Sequence, residues 1–435
     1  MFLLLLGLGL QFAYKVNVTL RYIRFLWIIV TYYGFYCHRS ASQSTQAKPT
    51  NALFSPSDVT IICPIVDPDD DYVLALKSWL RADPHEIIAV TTFPWLDRVK
   101  EFTQRANDPR VSVHAIEKKG KRHGLLEGIR RTTTSVVVLL DDDVIWLPKT
   151  LTGLLHALSG PQVGGVVPIK ANPRKVLQAQ HHPDTTIFEA VGAARLDRRT
   201  LTNASMAYFC DGQVLVLSGR TSAYRTEVFQ IPGFEKQLIE EYWKNKYLMT
   251  RGDDRAVTRW LYSHGWKTAL LSSDDSAVVS RPKRSRVYLL QLLRWSRSEL
   301  RQVLRDLSLI MPWSAAQQKW LWLNSMVYPV MMDDHLVILD FAITITIVTA
   351  RVAFRDSMVS VTERVIPGNL RLVLQYFETS AWHELLFNLW HLMNYPEHLT
   401  HILVFAFSGH IRAMVTAYAY WTTNQTSWMT RRGAD

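Results

Sequence analysis

A chain of 435 residues is long enough to bury one full-sized catalytic core and still supply membrane segments. Its formal charge of +11 comes without any RNA- or DNA-binding motif, which leaves an anionic membrane surface or a phosphate-bearing ligand as the partner of that charge and excludes nucleic acid. Three cysteines, Cys37, Cys63 and Cys210, are far apart and odd in number, so they form neither a disulfide framework nor a metal-spacing motif, and the middle of the chain belongs in a reducing compartment.

The 48% apolar content is uneven: both ends are apolar and aromatic, and the middle alternates like a soluble α/β protein. Residues 2–14 and 18–36 form two apolar runs, with Lys15, Arg21 and Arg24 between or within them. The second reads as a membrane span and the first as another span or an interfacial helix. Residues 40–57 are a polar Ser/Thr/Pro linker. From 58 onward, short β-branched runs are expected as strands at 58–63, 86–92, 111–116, 135–140, 163–167 and 213–218. Helical patterns at about 70–81, 95–106 and 120–131 separate the first four, which predicts βαβ units and a mostly parallel sheet. Ligands of such sheets bind at the carboxyl ends of the strands.

Further on, a helix is expected from Asp253 to His264, stopped by Gly265, and another from about Arg286 to Leu307. Arg281, Lys283, Arg284, Arg286, Arg294, Arg297, Arg301 and Arg305 concentrate positive charge there, as on a cytosolic membrane flank. Residues 313–332 read as an amphipathic interfacial segment anchored by Trp313, Trp320 and Trp322. Apolar stretches follow at about 336–350, 373–393 and 398–421, the first containing Asp340. The expected division is therefore 1–39 membrane segment, 40–57 linker, 58–280 catalytic domain, 281–332 basic and interfacial helices, 333–425 transmembrane helices and 426–435 tail. Asn17 and Asn424 begin glycosylation sequons, whose use depends on topology.

Three elements carry chemistry. Asp141-Asp142-Asp143 follows an apolar strand, where carboxylates are costly unless a cation neutralises them. A divalent ion bridging a diphosphate suits these hard oxygen donors, and the alternative is a polar turn capping the helix near Pro148. Gly252-Asp253-Asp254-Arg255 opens the next helix, either as plain N-capping or with a carboxylate serving as general base. Gln291, Arg294 and Trp295 share one helical face, offering a donor, a cation and a flat ring, or else anchoring an interfacial helix.

In this order and spacing the three elements resemble the processive family 2 glycosyltransferases, the group of hyaluronan, chitin and cellulose synthases, and most of all the fungal capsule-type polysaccharide synthases. The resemblance covers about 58–330 and the membrane framing at both ends. It implies an α/β GT-A (Rossmann-like) cytosolic catalytic domain between N- and C-terminal transmembrane helices. It implies transfer from a UDP-sugar, with Mg²⁺ or Mn²⁺ at Asp143 and Asp141, and with Asp254, beside Asp253 and Arg294, at the reacting centre. Lys121 and Arg122, after Gly120, match the pair that lies near the donor nucleotide, together with Gln291, Arg294 and Trp295. Ser218, Gly219 and Arg220 resemble the acceptor-side segment, with Trp295 at its entrance. The expected acceptor is a growing β-linked polysaccharide, exported across the plasma membrane or made in the Golgi or ER. Two alternatives are a non-processive enzyme acting on a lipid such as ceramide and an inactive membrane scaffold. The chain departs from the family after the second strand, where Thr91-Thr92-Phe93-Pro94-Trp95 replaces the usual uracil-reading acid; Asp97 and Asp67 are the nearest acids.

Overall fold

The computed structural model describes residues 2–46, 52–169, 185–317, 333–354 and 365–426. Most of the expected 313–332 interfacial segment and of the 426–435 tail lie outside the described residues.

The N-terminal region is one helix, α1 (Phe2–Gln46), rather than two segments and a linker beginning at 40. No proline interrupts it before Pro49, and the Ser/Thr/Gln stretch at its end is only mildly unfavourable to a helix. The charges that divide its apolar runs are absorbed by packing. Arg21 and Arg24 reach Asp340 at 2.7 and 3.8 Å, so they need not reach water.

The α/β region begins β1 (Val59–Pro64), α2 (Asp70–Leu80), β2 (Glu86–Thr92), α3 (Leu96–Gln104), β3 (Val111–Ile116), α4 (Lys121–Arg131) and β4 (Val136–Leu140). The alternating buried runs predicted all of these to within two residues. After β4 come β5 (Val144–Trp146), α5 (Thr150–Leu158), β6 (Val163–Pro168), the long helix α6 (Ile187–Phe209) and β7 (Thr221–Arg225). Two short helices, α7 (Glu227–Gln230) and α8 (Phe234–Ile239), lead to a small hairpin of β8 (Tyr242–Trp243) and β9 (Tyr247–Leu248). Then follow α9 (Asp253–Ser263), β10 (Lys267–Leu271), β11 (Val278–Ser280) and α10 (Val287–Gln317).

The main sheet has seven strands in the order β10-β6-β7-β4-β1-β2-β3, and every neighbouring pair is parallel except those made by β7. β4 is buried along its whole length, as a sheet covered on both faces requires. The expected strand at 213–218 is not one. Val214 and Leu217 are buried there, but their N–H groups donate to the Thr268 and Thr258 hydroxyls, each at 3.0 Å, instead of to a ladder. β7 takes the ladder position between β4 and β6. The segment's apolar residues thus signal core burial in irregular chain.

α6 was not legible, because its charged and apolar residues are mixed around the axis. The structure explains the mixture: protein surrounds it, and even Asp197 and Arg198 are buried. Beyond α10 come the helices α11 (Asp333–Ala353), α12 (Asn369–Phe387), α13 (Leu389–Asn394) and α14 (Ile402–Trp421). One face of α6 packs on α1, and another meets α13 and α14 and reaches α12 through Arg198, which pairs with Glu384 at 3.0 Å. Glu384 also pairs with Arg412 at 2.9 Å. Among the described residues two stretches are long and apolar enough to cross a membrane, His335–Ala353 and Pro396–Trp421. The expected third stretch, 373–393, is divided at Asn388 into α12 and α13.

α1 approaches α6 closely at Gly34, where a Cβ would lie 2.8 Å from the Ser205 Cα. A leucine there must push the two helices apart, at an overpacking cost of about 1–3 kcal/mol. Gly34→Leu is expected to lower the thermal midpoint of the detergent-solubilised protein by several degrees, read by tryptophan fluorescence. An unchanged midpoint would mean that the two helices do not pack in this way.

Candidate active site

The carboxyl ends of β1, β2 and β4 border a cavity of about 280 Å³ that α6, α9 and α10 close from the other side. Asp141, Asp142 and Asp143 enter it from the end of β4, and they occupy the turn into β5. They do not cap α5, whose N-cap residue is Lys149, and this removes the capping alternative.

Lys121 enters from the first turn of α4. Gly120 supplies the entry with φ +110°, a conformation that side-chain-bearing residues rarely adopt. The Lys121 ammonium lies 2.7 Å from Asp141 Oδ1 and 3.0 Å from Asp253 Oδ2, joining two motifs more than a hundred residues apart in sequence. Burial opposes its charge, but the carboxylates of Asp141 and Asp253 outweigh burial and hold its pKa above the ordinary lysine value. Gly219 packs against this pair, where a Cβ would stand 3.2 Å from the Lys121 Nζ.

Asp253 and Asp254 open α9 behind Gly252, whose φ of +69° is left-handed and whose missing side chain makes room for the Gln302 amide. Neither acid is a conventional cap. Asp253 turns to Lys121, and Asp254 Oδ1 accepts from the adjacent Arg255 N–H at 2.8 Å. Burial, and then the negative charge of Asp253, raise the Asp254 pKa, against the pull of Arg199 and Arg255. The result is a carboxyl group made more basic than usual and reached through the cavity.

Gln291, Arg294 and Trp295 all line the cavity from α10, as their shared face predicts. The Trp295 ring is flanked by the guanidiniums of Arg195 and Arg220, 5.5 and 5.9 Å from its centroid. Ser218, Gly219 and Arg220 line the same space. One expected residue does not. Arg122 is buried behind the cavity, donating to Leu238 O at 2.8 Å, to Glu241 Oε2 at 2.7 Å and to Arg251 O. Consecutive helical residues point about 100° apart, so Lys121 and Arg122 cannot share a face. Arg122 instead fixes the chain immediately before Gly252, and Glu241 is gripped from two further helices by Arg259 and Arg305.

Residues not anticipated from sequence also line the space: Arg195 and Arg199 from α6, and Arg251, Tyr288 and Thr91. The Thr91 hydroxyl is buried without a hydrogen-bond partner among the described residues, at an end of the cavity walled by Ile65, Val66, Val90 and Ile116. Asp67 and Asp97 are absent from that wall, and Asp67 pairs with Arg98 at 3.2 Å. The only sequence signal for Thr91 was its position at the end of β2.

Among the described residues no three carboxylate, histidine or cysteine groups form a ready-made metal cage. Asp141 and Asp143 still fit a divalent ion shared with a diphosphate, because Mg²⁺ in such sites takes only one or two protein carboxylates and completes its shell with phosphate oxygens and water.

The chain is 32% identical to a type 2 glycosyltransferase of Zymoseptoria tritici over 260 residues, which is 60% of this chain and 53% of that protein. It is 26% identical to a type 2 glycosyltransferase of Pyricularia oryzae over 403 residues, 92% of this chain and 79% of the relative. The chain thus spans about half the length of the first relative and more of the second. Its fold is similar to that of a mannosyltransferase from Pyrobaculum calidifontis solved with GDP-Man and Mn²⁺, with a TM-score of 0.53, 16% identity and coverage of 91% of this chain and 99% of that one. At this identity the likeness is one of fold, the GT-A-like α/β arrangement expected from sequence. Residues 78–298, which contain every one of the acids and cations described above from Lys121 to Trp295, match the sequence model of the family described as "Glycosyltransferase like family 2", and the chain belongs to that family of glycosyltransferases.

Proposed function

We propose that this protein is an inverting membrane glycosyltransferase that transfers a sugar from a UDP-sugar to the end of a growing β-linked polysaccharide, with its catalytic region in the cytosol. The observation that carries the reading is the Lys121 bridge: it brings the acids after β4 and the acids opening α9 to one cavity, so donor-binding and proton-accepting groups face the same reacting atoms. In the proposed reaction Asp254 accepts the proton of the acceptor hydroxyl, whose oxygen forms a bond to the anomeric carbon as the bond from that carbon to the diphosphate oxygen breaks. UDP leaves with the electron pair. Lys121 and Arg294 offset its developing charge, Gln291 donates to it, and Trp295 offers its ring face to the acceptor sugar beside Ser218, Gly219 and Arg220. A bound Mg²⁺ or Mn²⁺ would add Lewis-acid stabilisation of the diphosphate, held by Asp143 and Asp141.

The membrane assignment rests on α11 and α14 and on the basic stretch from Arg281 to Arg305, which suits a cytosolic flank. The plasma membrane is the proposed site, because a polymer made there can be extended while it leaves. The proposed division retains a catalytic unit to 280, the helix bearing Gln291 and Trp295 with the interfacial region to 332, and membrane helices to 425.

Asp254→Asn is expected to lose several orders of magnitude in turnover while UDP binding persists, since an amide cannot take the proton and the diphosphate ligands lie elsewhere. In the wild type, activity should fall as acidity protonates Asp254, and the raised pKa places this limb of the kcat/KM profile above the ordinary carboxylate range of about 4. Asp253→Asn removes a neighbouring negative charge, so it should move that limb to lower pH and be milder in turnover. An Asp254→Asn enzyme with normal turnover would refute the assignment of the base.

Asp143→Asn and an excess of chelator should each abolish transfer without changing expression or membrane insertion. Full activity in excess chelator would remove the metal from the mechanism. For topology, an epitope inserted in the 47–51 segment should react with antibody only after the plasma membrane is permeabilised, and labelling of intact cells would reverse the orientation.

A further inference from the structure

The cations of the cavity are unequally neutralised. Lys121 has Asp141 and Asp253, Arg255 has Glu299 at 3.3 Å and Arg281 has Asp71 at 2.5 Å. Arg195 and Arg199, four residues apart on one face of α6, and Arg220 opposite them have no ion-pair partner among the described residues. One nitrogen of Arg195, Nη1, is buried without a hydrogen bond. Like charges held together this way repel: burial first, and then Arg199, disfavour the charge of Arg220, against the pull of Asp141, Asp143 and Asp254. An arrangement of this kind is stable when an anion shares it.

Arg199 and Arg220 also line a second chamber, of about 40 Å³, which shares Leu196 and Ser218 with the main cavity, adds the polar Thr200, Asn203 and Thr221, and is otherwise walled by apolar residues such as Val167 and Leu270. None of the proposed donor-side groups, Lys121, Asp141, Asp143 or Arg294, borders this annex. At roughly 10–15 Å³ for each water it has room for about three oxygen-sized atoms, the scale of a compact oxyanion. Two guanidiniums, a serine hydroxyl and an amide match the double charge and the several acceptor oxygens of a phosphate better than a flat, singly charged carboxylate.

We propose that the annex beneath α6 binds a phosphate carried by the acceptor on which the first transfer occurs, placing that acceptor's hydroxyl toward Asp254. The proposal rests on the assignment of Asp254 and of the donor side given above. As the product lengthens, the phosphate moves away from the annex, so the subsite acts at initiation. The phosphate belongs either to a lipid headgroup or to a soluble sugar phosphate.

The test is calorimetric titration of the purified full-length protein with UDP and Mn²⁺ saturating, using farnesyl phosphate and glucose 6-phosphate as probes and farnesol and glucose as their neutral counterparts. At least one phosphate probe should bind about tenfold or more tightly than its counterpart, the scale of one charge-assisted contact. The tighter of the two identifies the source as lipid or soluble. Arg199→Gln should weaken that probe by about tenfold and leave UDP affinity within about twofold, with Arg199→Lys recovering part of the loss. Should Arg199→Gln misfold, Asn203→Asp tests the same chamber by placing a negative charge in it, and it should repel the probe while UDP still binds. A parallel loss of UDP affinity in these variants would assign the arginines to the donor diphosphate and overturn the proposal. Equal binding of charged and neutral probes, with UDP bound normally, would overturn it as well. If UDP itself fails to bind the wild type, the failure lies with the donor assignment instead.

Discussion

The cavity at the carboxyl ends of the strands depends on one ammonium group. Four carboxylates, those of Asp141, Asp143, Asp253 and Asp254, converge on a partly desolvated space, and so much negative charge would ordinarily drive the loops that carry it apart. Lys121 reconciles them by contacting one acid from each motif, and a Cβ at Gly219 would press on the ammonium at 3.2 Å. The resulting asymmetry is chemically useful. Lys121 pairs with Asp253 and Asp141, whereas burial and then the negative charge of Asp253 raise the Asp254 pKa and make that carboxylate more basic than usual.

Behind this bridge a second tier of charge fixes the elements that present it. Glu241, nearly inaccessible, accepts from Arg122 of α4 and Arg259 of α9 and pairs with Arg305 of α10. The three helices that carry Lys121, the Asp253–Asp254 pair and the Gln291–Trp295 face are therefore tied to one carboxylate. A buried charge with this many partners contributes little net stability, but losing any partner leaves charge unpaired in the interior, so the arrangement favours one relative placement of the helices.

α6 connects the cavity with the helical region. Arg195 and Arg199 face the cavity, while Asp197 and Arg198, intervening on the helix, face the other way and meet His391 at 2.6 Å and Glu384 at 3.0 Å. A shift of the helices bearing those partners would displace the cavity wall by the same rigid element. The buried pairs Arg21–Asp340 and Arg412–Glu384 fasten the remaining helices in the same manner, since ionised groups among apolar helices are tolerated only when paired.

Local patterning was enough to place the β1–β4 half of the sheet, the acids after β4, the acids opening α9 and the shared face of Gln291, Arg294 and Trp295. These are local properties: strand burial on both faces gives continuous apolar runs, and helical periodicity gives a face without knowledge of any neighbour. Only the tertiary structure decided that the apolar segment around Val214–Leu217 is irregular core chain, that β7 inserts between β4 and β6, and that α1 is continuous. In each case the deciding partner is distant in sequence: the Thr258 and Thr268 hydroxyls, the two flanking strands, and Asp340. The same reason separates Lys121 from Arg122. Adjacent in sequence, they are sent by the helical turn to opposite fates, one to the cavity and one to Glu241. Arg195 and Arg199 stayed hidden because a helix buried along most of its length, with a cavity on one side, has no solvent-facing polar stripe by which its sequence could announce it.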